Sequence, residues 1–408
     1  MNSRERVLRA VNFERPDRVP IDLGAMRASG ISAVVYDKLK QRTGIRGPTR
    51  IHDAMQILAV VEPEALNRFH IDVAPLDAVT AGWAEGDASE GVNRRLFDGT
   101  EVLFPPATKV TEEGDGSWAL RRPDGAPFAR MPKGGFYFDF IRSTMSGRRI
   151  EPDAFRPRDN VPDEELELLA RRARQLYEET DKAILGWGIA STSMMGLSAL
   201  LSDNITQGAL DQWLCMLLTE KETAHEMMAR YVDAVISCLK LYHQAIAHRC
   251  FAWGVASDDG GTQRGGLLAP DLFAEMIKPH YTRLCDWVHA NTPWKTFLHS
   301  CGSVYHYIPH WIEAGIDILN PVQISAANME PKRLKEEFGD RLVFWGGGCD
   351  TQRVLPLEGR EQVREHVRQN IEVFSAGSGY VFTQVHNIQP NVPVENVEAM
   401  LDAAYEFG

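Results

Sequence analysis

His299 and Cys301 lie two residues apart at the end of an apolar run. Side chains alternate along a strand, so an imidazole and a thiol at this spacing share one side of an extended chain. Nitrogen beside soft sulfur suits zinc, whose catalytic sites commonly keep three protein ligands and one open position. A third ligand could come from His386, with Cys349 as a competitor and Asp259 as a further carboxylate. Alone, the His-x-Cys pair is a weak pattern, because a free cysteine is often only a small buried apolar group.

Other polar residues follow apolar runs in the same way. Asp258 and Asp259 are adjacent carboxylates, and close like charges raise the pKa of one member, which suits acid/base work; capping the next turn is the bland reading. Asn320, Gln323, Asp350, Gln384 and Asn387 stand where side-chain hydrogen bonds would orient a small-molecule substrate. Gly346-Gly347-Gly348 would let backbone amides approach an anion, or simply form a glycine-rich turn. His306 and His310, at helical spacing, read as structural.

The elements that must position these residues alternate between strand-like apolar runs and amphipathic helices, the pattern of parallel β/α units. Strands are expected at Arg18–Leu23, Ile71–Leu76, Ala183–Trp187, Phe251–Ser257, Trp294–His299, Ile318–Pro321, Leu342–Gly346 and Tyr380–Val385. Eight such strands close a TIM-type (β/α)8 barrel, an α/β fold whose active sites gather at the C-terminal ends of the strands. Helices are expected at Asp163–Glu179, Asp271–Ala290, Val304–Ala314, Glu330–Phe338, Glu361–Ala376 and Val394–Phe407, with Gly315, Gly339 and Gly377 as left-handed stops. Between Gly91 and Phe140 the turn signals Asp98-Gly99 and Asp124-Gly125 flank alternating runs, which predicts an antiparallel β insertion after strand two, placed as a lid over the mouth. Extra helices are expected from Asn204 to His248, before strand four, as a flap or an oligomer contact. Residues 1–408 thus read as one barrel domain with the 91–140 insertion inside it.

With 44% hydrophobic residues, the chain has material for a large core. Its net charge of -12 and lack of a Lys/Arg-rich run argue against a nucleic-acid partner. No apolar stretch approaches the ~20 residues needed to cross a bilayer, and the first residues lead into an amphipathic helix rather than a signal peptide. The six scattered cysteines read as reduced thiols, which predicts a cytoplasmic protein.

Three segments together resemble the uroporphyrinogen decarboxylase superfamily: His299-Ser300-Cys301-Gly302-Ser303, the run from Glu313 to Asn320, and the closing run from His386 to Val397. The resemblance extends from about Arg4 to the end and is strongest in the last third. It implies a β/α barrel hosting one of two chemistries: cofactor-free decarboxylation in haem synthesis, or zinc-dependent methyl exchange with a corrinoid protein. The methyltransferases carry His-x-Cys and a much later Cys; here His386 occupies the late position. The decarboxylases carry an arginine cluster near the N-terminus; here Arg18-Val19-Pro20-Ile21-Asp22-Leu23-Gly24 stands in its place, with only Arg27 nearby.

The reading favoured by these residues is a zinc methyltransferase. His299, Cys301 and His386 would hold the metal, Asp259 or Asp258 would act on a small-molecule substrate, and the corrinoid would ride on a separate partner protein. A metal-free decarboxylase and a non-catalytic corrinoid or tetrapyrrole binder are the alternatives, and a homo-oligomer is left open.

Overall fold

A computed structural model describes residues 1–85, 91–106, 108–141, 150, 152–188, 191–195 and 210–408. Its centre is a parallel sheet in which the strands Val73–Leu76, Ala183–Gly186, Ala252–Ser257, Lys295–His299, Ile318–Asn320, Val343–Trp345 and Tyr380–Val381 follow one another in chain order. Between the outer two runs the first expected strand, pairing only at Ile21 in an isolated parallel bridge to Phe382. Phe382 N–H donates to Pro20 O and Asp22 N–H to Phe382 O, each at 2.8 Å, while Asp72 N–H donates to Ile21 O at 2.8 Å. Backbone hydrogen bonds therefore join both edges through this segment, and the architecture is a TIM-type barrel.

Burial alternates as the barrel requires. Phe297, Ile318, Val343, Trp345 and Val381 belong to one buried cluster with Val73 and Leu185, while Leu298, Leu319, Phe344 and Phe382 belong to the shell beneath the helices. Phe297 and Trp345 meet edge to face at 5.4 Å between ring centroids inside the barrel. Helix Ser3–Val11 places Val7, Ala10 and Val11 in the same inner cluster. Its start is a capping box: Asn2 Oδ1 accepts from Glu5 N–H at 2.9 Å, and Glu5 returns a bond to Asn2 N–H.

Helices Asp163–Glu179 and Val394–Phe407 have the expected bounds. The expected helix Asp271–Ala290 is instead two, Pro270–Met276 and Lys278–Asn291, because Pro279 cannot continue the ladder of the first. Pro309 similarly starts helix Ile308–Glu313 after a 3-10 turn at Tyr305–Tyr307. Gly315 and Gly377 are left-handed stops at φ of 90° and 71°, but Gly339 closes its helix in the right-handed region at φ of −69°. The expected strand Tyr380–Val385 keeps its ladder only through Val381; beyond it the chain follows the mouth, with Val385 N–H on Cys349 O at 2.9 Å.

The 91–140 stretch is strand-rich. Lys109–Glu112, Trp118–Arg121, Pro127–Met131 and Asp139–Phe140 form an antiparallel sheet. Val92–Arg95 and Glu101–Phe104 form a hairpin that joins a second sheet with Thr49–Asp53 and Leu58–Ala59, two strands that the periodicity does not announce. Phe138 N–H donates to Met55 O at 2.8 Å, tying the two sheets together. Between Ala183–Gly186 and Ala252–Ser257 run helices Leu210–Thr219 and the 26-residue Lys221–Ile246; residues 204–209 of the expected helical segment lie outside the described residues. No helix among the described residues is long and apolar enough to cross a membrane.

Candidate metal centre at the barrel mouth

Register sets the site. His299 pairs with Ser257 on one side and Asn320 on the other at the C-terminal ends of three adjacent strands. Inward-facing Phe297 and Ile318 place His299 and Asn320 on the lumen side by the two-residue repeat of a strand. Beyond His299 the chain turns sharply. Gly302 has a φ of 93°, and a Cβ there would lie 2.2 Å from the Gly261 carbonyl group, so only glycine fits. Gly302 N–H donates to Gln323 Oε1 at 2.8 Å, Ser303 N–H to Thr262 O at 2.8 Å, Cys301 N–H to Asp259 Oδ1 at 3.0 Å, and Gly260 N–H to Ser300 Oγ at 3.0 Å. The turn is pinned on every side, and it returns Cys301 Sγ to 3.4 Å from His299 Nε2.

His386 completes the group from the segment that follows the eighth strand, three positions along the sheet. Its ring lies 5.9 Å from that of His299, and one donor atom from each of His299, Cys301 and His386 falls within 4.8 Å of the other two. Burial and then the neighbouring His299 push His386 down to about 4, leaving it neutral with a free lone pair at pH 7. Burial also opposes charge on His299, but the Cys301 sulfur and the Asp259 carboxylate outweigh it and raise its pKa well above the ordinary value. Asp259 is held below the usual carboxylate range: burial works against it, and His299 with the Cys301 amide prevails. Its side chain remains 65% exposed, so this carboxylate faces solvent at the site, 3.5 Å from His299 Nε2.

The adjacent carboxylates have separate surroundings. Asp258 is buried and accepts from Met194 N–H, Met195 N–H, Ser193 Oγ and Tyr281 OH, so it anchors the 193–195 turn; burial raises its pKa against these donors. The other polar residues expected at the site are also engaged within the protein. Asn320 bonds His299 and the Trp345 carbonyl, and Gln323 carries the Gly302 amide. Buried Gln384 donates to Gly30 O at 3.2 Å. Asp350 Oδ1 caps the turn before helix Val354–Leu357 through Gln352 N–H and Arg353 N–H. Asn387 accepts from Tyr137 OH at 2.9 Å and bonds Gln56 and Gln389, which brings the β insertion against the residue next to His386.

Cys349 is fully buried, its thiol pKa raised by that burial, and it is not one of the three clustered donors. The three amides of Gly346-Gly347-Gly348 are spent on Val381 O, Pro321 O and Thr383 O, so this turn is packing rather than an anion nest. His306 is exposed, and His310 packs on Phe273. All six cysteines are free.

Two features are missing from the candidates named on the sequence. Asp77 follows Val73–Leu76 directly and pairs with His52 Nε2 at 3.1 Å; burial opposes the charge, but His52 and the Thr80 amide hold Asp77 down to about 2. The strand-end rule would have selected Asp77, whereas His52 sits on a strand that periodicity does not reveal. Trp345 is a second, reached only through the lumen packing.

A β/α barrel with its polar residues crowded at the C-terminal mouth is an enzyme-type scaffold. The sequence pattern of the uroporphyrinogen decarboxylase (URO-D) family matches residues 145–407, and the chain belongs to that family. A curated uroporphyrinogen decarboxylase from Pseudoalteromonas translucida is 25% identical over 205 residues, 47% of this chain and 51% of that one. Another from Psychromonas ingrahamii is 22% identical over 251 residues, 60% of this chain and 66% of its own length. The chain thus spans about half to two thirds of the length of these relatives. A solved methyltransferase from Methanosarcina mazei shares the fold end to end, with a TM-score of 0.55 and 16% identity over 100% of this chain and 99% of that one.

Proposed function

We propose that the protein is a zinc-dependent methyltransferase that moves a methyl group between a small methylated substrate or methyl-corrinoid and a thiol, folate or corrinoid acceptor. The observation that carries this reading is the convergence of His299, Cys301 and His386 on one point at the barrel mouth. Tetrahedral zinc with Zn–N of about 2.0 Å and Zn–S of about 2.3 Å sets neighbouring ligand atoms roughly 3.5 Å apart. The 3.4 Å between His299 Nε2 and Cys301 Sγ meets that geometry, and two imidazoles with one thiolate are donors that zinc accepts.

When bound, zinc supplies Lewis acidity, which polarises a leaving oxygen or keeps a thiol ionised at neutral pH. The chain's own residues do the rest. His299, Cys301 and His386 would occupy three positions and leave one for substrate. Asp259, ionised and solvent-facing, would accept a hydrogen bond from a donor group of the substrate and so orient it. The insertion that meets Asn387 through Tyr137 would act as a lid, within a single barrel domain spanning 1–408. The corrinoid of this reading would ride on a separate partner protein.

The curated relatives favour a second reading, metal-free decarboxylation. Metal analysis separates the two. Stoichiometric zinc in the purified protein, lost in Cys301→Ser and His386→Ala while the fold is kept, is the expected result. Zinc-free protein that decarboxylates uroporphyrinogen anaerobically would overturn it.

A further inference from the structure

The strongest unassigned arrangement lies directly beneath the three donors. His299 Nδ1 is 2.8 Å from Asn320 Oδ1, and Asn320 Nδ2 donates to the Trp345 carbonyl at 2.9 Å. Asn320 is fully buried, so both of its polar atoms need partners. Its amide orientation follows from this network: reversing the group would set its oxygen against the Trp345 carbonyl, two acceptors in contact. With the oxygen facing His299, the imidazole Nδ1 must carry a proton. The ring then presents Nε2, the nitrogen that faces Cys301 and Asp259.

The support extends further. Trp345 is itself held from the other face, its indole Nε1–H donating to Asp22 Oδ2 at 2.8 Å. Asp22, Trp345, Asn320 and His299 thus form one buried series across the first, seventh, sixth and fifth positions of the barrel. Phe297 packs edge to face on Trp345 at 5.4 Å between ring centroids, which holds the residue whose carbonyl Asn320 bonds.

We infer that Asn320 is a positioning residue that fixes the ring orientation of His299 by accepting from its Nδ1–H, so that Nε2 is the nitrogen turned toward Cys301 and Asp259. The inference rests on reading His299 as a metal ligand, but it makes a claim about the metal-free ring as well. Hydrogen bonds to the far nitrogen of a ligating histidine typically matter by about 10–100-fold in metal affinity.

The test has two arms. In the full-length protein labelled with 15N-histidine and freed of metal, the His299 resonances, identified by their absence in His299→Ala and followed to a pH at which the ring is neutral, should show the remaining proton on Nδ1. Asn320→Leu, of similar volume and without the acceptor, should mix the ring states and weaken zinc binding about 10–100-fold in competition with a chromophoric chelator. A bare Nδ1 in the parent protein overturns the inference, as does unchanged zinc affinity in a folded Asn320→Leu. If the parent binds no zinc, the metal reading fails and the nitrogen spectrum alone decides the role of Asn320. If Asn320→Leu does not fold, the parent spectrum decides it in the same way.

Discussion

A buried carboxylate can brace a site and still be expensive to ionise, and Asp22 is such a residue. It is completely buried, and burial lifts its pKa to about 6 against the hydrogen bonds from Trp345 Nε1–H and Ala25 N–H. A raised pKa means that the folded protein holds this proton more tightly than the unfolded chain. Its contribution to stability is therefore present at acid pH and is lost as pH rises through about 6. The gap between about 6 and the ordinary 3.8 corresponds to about 3 kcal/mol. Relative to Asp22→Asn, the parent should gain stability between pH 7 and pH 4, measured by urea unfolding; a difference that does not change with pH would show that Asp22 carries no such proton. Asp258 repeats this at the site, anchoring a buried turn with its pKa raised, whereas its neighbour Asp259 faces solvent beside His299 and is held ionised.

At the scale of elements, the turn after the His299 strand sets the geometry of the donors. Gly302 combines a positive φ with a backbone contact that no Cβ could share. Gly302→Ala should cost about 1–3 kcal/mol from backbone strain, with the contact adding to it, and should move Cys301 away from His299. Calorimetry would read the first effect and zinc uptake the second; normal uptake would show that the turn does not set the site. The β insertion reaches the mouth through the hydrogen bond that Tyr137 OH donates to Asn387 Oδ1. Tyr137→Phe removes one hydrogen bond, a loss of about 1 kcal/mol. Amide exchange should quicken in the sheet from Lys109 to Phe140 while the barrel strands stay protected. Exchange that is unchanged would argue that the insertion is held by other contacts.

Closure of the whole barrel depends on a charged cluster at the end opposite the site. Asp72 is fully buried and accepts from Arg6 Nη1 at 2.6 Å, Arg18 Nη1 at 2.8 Å, Arg18 Nη2 at 3.0 Å and Ile21 N–H at 2.9 Å. It thereby ties helix Ser3–Val11 and the first barrel segment to the second strand. Removing the carboxylate leaves two largely buried guanidinium groups short of a partner, which costs about 3–5 kcal/mol. Asp72→Ala should lower the melting temperature strongly while any variant that folds retains the three donors; loss of metal binding with an unchanged melting point would contradict this division between a stabilising face and a reactive face.

The barrel and the three clustered donors were legible in the sequence because both depend on local regularities. Alternating apolar runs and helical periodicity mark parallel β/α units, and the end of a strand in this fold is also the mouth of the barrel. His299, Cys301 and His386 could be named from strand ends, and family resemblance pointed to the same residues. What each polar neighbour does was decided only by tertiary structure. Asn320 and Gln323 stand at the mouth as a substrate contact would, yet their hydrogen bonds run to His299, the Trp345 carbonyl and the Gly302 amide. Asp350 and Gln384 are likewise engaged by backbone groups from turns and distant segments. The physical reason is that a side chain's identity lists the bonds it can make, whereas its partners, drawn here from strands far apart in the chain, determine which bonds it makes. Strand spacing placed the imidazole and thiol together; the packed barrel brought His386 to them from three strands away and set Asn320 behind the His299 ring.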